Sequence, residues 1–210
     1  THIHLYNTSR EGGVPWPPED DKVLYKPHLP KEFEKASKST GLTGVIVIEA
    51  SHLMKDNKWV LKLVENNDYF VGLVGNVNPY RKDFESKIKS LKKDSRFVGV
   101  RARNGGKQKK INFSDSKIIS SFKILEKNEL SLDILTNGGG VEAVKEIDKL
   151  AKIIPNLRII ANHVIGYNFD GKSVDPDWIK AVESLGENKT FGVKFLVYTK
   201  EARSNQLLTK

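Results

Sequence analysis

Seven short runs of apolar, mostly β-branched residues recur along the chain and limit the folds that it can adopt. The runs cover 3–6, 44–50, 69–76, 97–103, 130–136, 158–163 and 191–197. Amphipathic stretches with apolar residues at intervals of three and four lie between most of them, at 83–93, 116–127, 141–154 and 176–185, and a further helix is expected to begin near Pro30. Strand starts recur at roughly 30 residues, the length of one strand-helix unit. The pattern predicts an α/β fold whose strands are parallel.

Several of the runs are apolar at nearly every position, as at 45–48 and 70–74. This pattern is typical of a sheet that is covered on both faces. We therefore predict a TIM-like (β/α) barrel forming a single domain over residues 1–210, with seven strand-helix units visible. Such barrels normally have eight strands. Because the polar tail 198–210 has no apolar period, we expect the eighth strand and last helix to be missing from a C-terminally truncated or incomplete barrel.

An open, doubly wound sheet is the structural alternative. It requires a glycine-rich phosphate loop after the first strand, and residues 7–10, Asn-Thr-Ser-Arg, do not form one. A seven-stranded barrel would expose unpaired strand edges. We therefore expect aggregation, association with a second chain as a possible homo-oligomer, or cover by the N-terminal loop.

Charge and composition narrow the class of ligand. The formal charge of +9 could favour nucleic acid, an anionic surface or an anionic small molecule. The densest basic run, 107–110, has no interleaved aromatic residues for stacking on bases, which argues against nucleic acid. The chain contains no apolar run of membrane-spanning length, and zero cysteines exclude thiolate nucleophiles and zinc held by sulfur. We expect a cytoplasmic protein with a small anionic ligand, and export stays open because residues before Thr1 are expected to be missing.

Two histidines, His2 and His4, stand two positions apart at the start of the first strand. Side chains on a strand repeat their direction every second residue, so both imidazoles point the same way. Imidazole binds divalent metals and titrates near neutral pH. The pair therefore indicates a metal site or two substrate-holding groups, the alternative being two histidines on a solvent-facing edge.

Polar side chains end most of the later strands. In (β/α) barrels the carboxyl ends of the strands form the active site. His163 is notable because it follows a fully apolar strand, where an imidazole without partners would be costly. A satisfied core histidine is the alternative for it, and ordinary strand-end polarity is the favoured interpretation for two of the asparagines, Asn76 and Asn137. The complete set is Glu49, Asn76, Arg101, Arg103, Asn137, Asn162 and His163.

The segment 9–21 joins the first strand to the first helix and carries three prolines around Trp16. Prolines restrict the backbone and lower the entropy cost of holding an aromatic ring in place. Trp16 is predicted to form a wall over the barrel mouth, or alternatively to pack on the outside of the barrel.

Taken together, six strings resemble the amidohydrolase-related (amidohydrolase 2) family over nearly the whole chain, within the branch of fuconolactonase-like and pyrone dicarboxylate lactonase-like hydrolases. The strings are Thr-His-Ile-His at 1–4, Gly-Gly-Val-Pro-Trp-Pro-Pro-Glu-Asp-Asp at 12–21, Val-Ile-Glu-Ala-Ser at 47–51, Val-Gly-Asn-Val-Asn-Pro at 74–79, Phe-Val-Gly-Val-Arg at 97–101 and Ala-Asn-His-Val-Ile-Gly at 161–166. The resemblance implies a distorted barrel that hydrolyses a lactone, such as a sugar-acid lactone, or a related ester or amide.

The resemblance also implies roles for individual residues. His2 and His4 match the family's first-strand pair, His163 its sixth-strand histidine, and Arg101 the fourth-strand arginine that holds substrate carboxylate or hydroxyl groups. No lysine stands in the place of Arg101, so a two-metal site bridged by a carbamylated lysine is not supported, and one metal ion or none is expected. In this family an eighth-strand aspartate is the metal ligand and general base, and its absence puts hydrolysis in doubt.

The mechanistic hypothesis is that a water, activated by zinc or by that missing carboxylate, attacks a polarised lactone carbonyl. His2, His4 and His163 would supply three neutral nitrogen ligands and leave one zinc position for water. Glu49 is a candidate partner that orients a metal ligand, or a proton carrier, or alternatively a cap of the following helix.

Substrate contacts are assigned to two arginines and to the tryptophan. Arg101 would anchor an anionic group by a two-pronged contact, with Arg103 and Trp16 also facing the substrate. Two rival hypotheses remain: a non-catalytic barrel that binds a small anionic ligand, and a subunit that a second chain completes.

Overall fold

The computed structural model describes residues 2–104, 111–136, 139–167, 169, 171 and 173–194. Strands and helices alternate along these residues, as the sequence predicts. The strands are β1 (His2–Ile3), β2 (Val45–Ile48), β3 (Phe70–Gly75), β4 (Phe97–Asn104), β5 (Ser131–Thr136), β6 (Ile159–Ala161) and β7 (Phe191–Val193). The helices are α1 (Pro30–Ser37), α2 (Lys55–Leu63), α3 (Phe84–Leu91), α4 (Ser116–Lys127), α5 (Val141–Ile153) and α6 (Pro176–Gly186).

All seven strands belong to one parallel sheet in the order β1 to β7. The sheet is strongly curled. In a flat sheet β1 and β6 would lie about 24 Å apart, five spacings of about 4.8 Å. The ring of His2 on β1 and the ring of His163, just after β6, have centroids only 5.7 Å apart. The strands therefore form a curled half-barrel, which confirms the predicted TIM-like architecture and excludes an open doubly wound sheet.

The helices cover the outer face of the sheet because their apolar residues repeat on one side. Ile88 of α3, Phe122 of α4 and Ile147 of α5 are fully buried against strand residues such as Phe70 and Leu132. Burying each side chain of this size stabilises the fold by about 1.5 to 3 kcal/mol. A search of the described residues for a helix of membrane-spanning length and apolarity finds none.

Several strands are shorter than predicted; the second, for example, was expected over 44–50 and spans Val45–Ile48. For the first and the sixth, contacts in the structure give the reason. The first was expected over 3–6, but Tyr6 forms an antiparallel bridge with His28 through N–H to O contacts of 3.1 and 2.8 Å, which turns the chain into the loop. The sixth was expected to reach His163 but ends at Ala161, because a tight turn begins after Asn162. The end of the predicted seventh strand, 195–197, and the tail 198–210 lie outside the described residues.

Candidate active site

His2 of β1 and His4, just after it, meet at the carboxyl end of the half-barrel. Their Nε2 atoms lie 3.3 Å apart, and the rings meet edge to face. The Nδ1 of His4 is 2.9 Å from the carbonyl oxygen of Ile48, which can only accept a hydrogen bond. Nδ1 is therefore assigned the proton of neutral His4, and its Nε2 carries a lone pair. The second histidine, His2, approaches that lone pair with its own Nε2.

Arg101 also lies against His2. Its Nη2 is 3.3 Å from the Nε2 of His2, and that nitrogen accepts from Arg101 or donates to the Nε2 of His4, according to the tautomer of His2. With either tautomer, the Nε2 atoms of His2 and His4 face one another. Two nitrogen ligands on one tetrahedral zinc, with bonds of about 2.05 Å, are separated by about 3.3 Å. The spacing of the pair therefore fits a shared zinc ion.

His163 lies at the same end of the half-barrel, half-buried, with its ring 5.7 Å from that of His2. The structure thus brings together the three histidines singled out in the sequence. Among the described ranges, however, no group of three or more histidine, aspartate or glutamate side chains is arranged to hold a metal ion. The three-histidine ligand set therefore stays a prediction, and of these three histidines only His2 and His4 have ligand spacing.

Arg101 is a deeply buried charged group beside these rings, with 5% of its surface exposed. Its Nη2 donates to Oδ1 of Asn162 at 2.8 Å, and its Nη1 is 3.6 Å from Oε1 of Glu49. Burial lowers the pKa of Arg101, and the carboxylate of Glu49 opposes that effect. The Nε of Arg101 is buried and has no hydrogen-bond partner among the described residues.

Glu49 is also buried and forms ion pairs with both Arg101 and Arg103. Its Oε1 accepts from Nε of Arg103 at 2.8 Å and forms an ion pair with Nη2 at 2.6 Å. Burial raises the pKa of Glu49, whereas Arg103 and Arg101 act to lower it. Because α2 begins only at Lys55, with Met54 at its N-cap, the helix-cap alternative for Glu49 is wrong.

A second buried ion pair, between Asp133 and Lys194, was not singled out in the sequence. Asp133 on β5 accepts from Nδ2 of Asn162 at 3.2 Å and pairs with Lys194, which follows β7. An aspartate inside the apolar run of β5 was the available signal, but its partner could not be identified from spacing. With neutral histidines, the cations Arg101, Arg103 and Lys194 outnumber the anions Glu49 and Asp133 by one, which suits an anionic ligand.

The loop after β1 brings its tryptophan to the site. The ring of Trp16 lies 5.4 Å from His4 and 5.5 Å from Tyr6. The loop is held by an ion pair of 2.7 Å between Arg10 and Asp56. Trp16 therefore stands beside the histidines, and the alternative that it packs on the outside of the barrel is wrong.

Asn76, just after β3, is held in a network of hydrogen bonds. Nδ2 of Asn76 donates to the carbonyl oxygen of Ser51 at 2.9 Å, and the side chain of Asn57 contacts both main-chain groups of Asn76. These bonds give Asn76 the structural role that the sequence favoured. Asn137 lies outside the described residues.

Two cavities border the site. One of about 590 Å³ is lined by His2, Asp133 and Lys194 together with apolar strand residues. One of about 280 Å³ lies at the ends of β3 and β4 and includes Arg101 and Arg103. A larger groove of about 890 Å³ runs between α2 and α3 at the opposite end of the strands. Its lining includes no histidine and no residue of the buried charge network, so it does not belong to this site.

Acidification is expected to destabilise the metal-free protein through its paired histidines. Burial, with the neighbouring His4 and Arg101, lowers the pKa of His2 to about 2, and burial and Arg101 lower that of His4 to about 4. Since an unfolded histidine titrates near pH 6.5, the unfolded chain binds more protons below that pH. The free energy of unfolding should be highest above pH 6.5 and fall as the pH drops towards 4 and then 2.

The measurement is urea unfolding of chelator-treated protein between pH 7.5 and 4. The variant His4→Asn, which cannot gain this proton, should show a shallower fall than the wild type. Equal slopes for the two proteins would contradict the assignment of a neutral, buried His4.

No family model matches the chain. The chain is 22% identical over 162 residues to the L-fucono-1,5-lactonase of Burkholderia ambifaria, and the match covers 77% of this chain and 54% of the lactonase. Its structure is similar to a zinc-bound amidohydrolase from Burkholderia multivorans, with a TM-score of 0.75 and 15% identity, covering 91% of this chain and 66% of that one. It is also similar to a protein from Pseudomonas putida described as a 2-pyrone-4,6-dicarboxylic acid hydrolase, with a TM-score of 0.72 and 14% identity, covering 96% and 71%.

The chain thus spans about half the length of the lactonase that it matches. The structural similarities confirm the amidohydrolase barrel fold. Together with the lactonase match, they support the resemblance to the amidohydrolase-related family that the strand-end motifs indicate.

Proposed function

We propose that this chain carries the metal and substrate site of a lactone hydrolase, and that His2 and His4 hold a single zinc ion in it. The observation that carries the proposal is the distance of 3.3 Å between the Nε2 atoms of His2 and His4. Two nitrogen ligands of one tetrahedral zinc ion have this separation. The lactonase match and the zinc bound in a structural neighbour support the same chemistry.

Zinc bound here would polarise the lactone carbonyl and lower the pKa of an attacking water. His4 is held for this role by its bond to Ile48, which fixes the tautomer and the ring plane. Arg101, which lines the cavity at the ends of β3 and β4, would bind an anionic substituent of the substrate in a planar contact that lysine cannot reproduce.

Three further residues complete the proposed site. Trp16 would form a wall on the open side of the site, next to His4. Glu49 aligns Arg103, and its Oε2, which is buried and has no partner among the described residues, is the oxygen that could take a proton. His163 stands beside His2 as a further zinc or substrate contact. We propose a carboxylated lactone, such as a sugar-acid lactone, as the substrate. The three cations of the site exceed its two carboxylates by one positive charge, which a substrate carboxylate would balance.

The test combines metal analysis with a panel of carboxylated and neutral lactones. We expect about one zinc per chain, hydrolysis of a carboxylated lactone, loss of activity on chelation and recovery with zinc. His2→Asn and His4→Asn should each lose zinc and lower kcat/KM by at least about 100-fold, since a lost zinc removes both effects on the carbonyl and the water. The control is His28→Gln, which changes a histidine outside the pair and should keep both zinc and activity.

Full activity after removal of zinc would overturn the metal assignment. A protein that binds zinc and carboxylated lactones but hydrolyses none of them would overturn the hydrolase and favour the non-catalytic binder.

A further inference from the structure

The segment that carries His163 has an unusual backbone. His163, Val164 and Ile165 have φ angles of 52°, 51° and 59°, and Gly166 follows at 71°. Only the glycine adopts this left-handed region without steric cost, and β-branched residues are outliers there. Three successive strained residues persist only where the surrounding structure holds them, and such strain is concentrated at functional sites.

The turn changes the direction of His163. Successive side chains on a strand point to opposite faces. Asn162 points into the half-barrel, where it contacts Arg101 and Asp133. If β6 continued in extended form, His163 would therefore point outward towards the helices. The left-handed turn brings its ring to the inner side, 5.7 Å from that of His2.

Neighbouring strands hold the turn in place. The hydroxyl of Thr136, at the end of β5, donates to the carbonyl oxygen of Ile165 at 2.6 Å. The N–H of Gly139 donates to the carbonyl oxygen of Gly166 at 2.8 Å, and the N–H of Val164 donates to that of Lys194 at 3.2 Å. Among these three contacts, that of Thr136 is the one made by a side chain, and Thr136 is itself buried.

We propose that Thr136 is a positioning residue that keeps His163 in the active site by holding this left-handed turn. The role rests on the proposed function insofar as His163 acts on zinc or substrate. Thr136 contacts neither: it acts through the carbonyl oxygen of Ile165, two residues beyond the imidazole.

The experiment compares Thr136→Val, which keeps the shape and removes the hydroxyl, with Thr136→Ser, which keeps the hydroxyl. Ser121→Ala is the matched control, because it removes another buried hydroxyl-to-carbonyl bond, of 2.7 Å to Pro79, away from the histidines. Two readouts are used: the NMR signals of the His163 ring, assigned with His163→Gln, and the kinetics of lactone hydrolysis by the zinc-loaded protein.

Thr136→Val should broaden or shift the His163 signals and lower kcat by about 10- to 100-fold with KM changed less than kcat, as expected for a misplaced group. Thr136→Ser and Ser121→Ala should leave both readouts near those of the wild type. Wild-type ring signals and kcat in Thr136→Val would overturn the proposal. If that variant fails to fold, Thr136→Ala is measured in its place. Altered His163 ring signals and a lower kcat would support the proposal, and wild-type values of both would overturn it.

The NMR readout separates this proposal from the proposed function. A protein that hydrolyses no lactone but whose His163 ring moves in Thr136→Val loses the hydrolase assignment and keeps the positioning role. An active protein in which neither readout changes loses the positioning role alone.

Discussion

Replacing Arg101 by methionine is expected to lower the free energy of unfolding by about 3 kcal/mol and to abolish lactone hydrolysis. Methionine fills much of the same volume but provides no donors. The substitution would leave Oδ1 of Asn162 without its 2.8 Å bond and would remove a positive charge from beside Glu49. Buried polar atoms that lose their partners carry the full cost of desolvation. Urea unfolding at pH 7 and kcat/KM for a carboxylated lactone are the two measurements.

Two variants calibrate this result. Arg101→Lys keeps the charge but not the planar fork, so it should keep more stability than the methionine variant while losing about 100-fold in kcat/KM, the value of roughly 3 kcal/mol of lost charged hydrogen bonding. Arg81→Met removes an arginine that pairs with Asp83 at the surface, and it should leave stability close to that of the wild type. A methionine variant as stable and active as Arg81→Met would show that Arg101 holds neither the network nor the substrate.

The fold could be predicted from the sequence because its determinants are local. Continuous apolar runs such as 45–48 and 70–75 specify strands that are covered on both faces, and the three- and four-residue periods between them specify helices. The strand order then follows from connections that keep consecutive parallel strands adjacent. The ends of β1 and β6 were placed less well, because bonds between residues distant in sequence, as between Tyr6 and His28, decide where a strand stops.

The site was predictable where strand geometry alone places a side chain. His2 and His4 stand at the end of β1, Arg101 lies within β4, and the curl of the sheet brings them together. The pairing of Asp133 with Lys194 was not predictable, because it depends on which side chains face each other across the half-barrel.

The turn at His163 could not be predicted for a different reason. Val164 and Ile165 disfavour positive φ, so local preference indicates an extended strand. Bonds from β5 and from the residue after β7 override that preference. The sequence predicted that His163 lies at the same barrel end as His2 and His4. In the structure this position is reached through a turn that the local backbone preference of Val164 and Ile165 disfavours.

Replacing Glu49 by leucine should have the second-largest effect, a loss of about 3 kcal/mol in the free energy of unfolding, because it leaves two guanidinium groups facing each other without their carboxylate. Arg103→Leu should cost less, since Arg101 still neutralises Glu49 at 3.6 Å and the side chain of Arg103 is 27% exposed and partly hydrated. The double variant then decides whether the cost comes from unpaired charge.

If unpaired charge causes the loss, Glu49→Leu combined with Arg103→Leu should be more stable than the sum of the single effects predicts, by at least about 1 kcal/mol, as for other contacting pairs. Urea unfolding of the four proteins at pH 7 gives this coupling energy directly. Additive losses would mean that Glu49 stabilises the site by filling space. A coupled result would show that the carboxylate of Glu49 is what allows two arginines to lie side by side next to His2 and His4, an arrangement that the proposed binding of an anionic substrate requires.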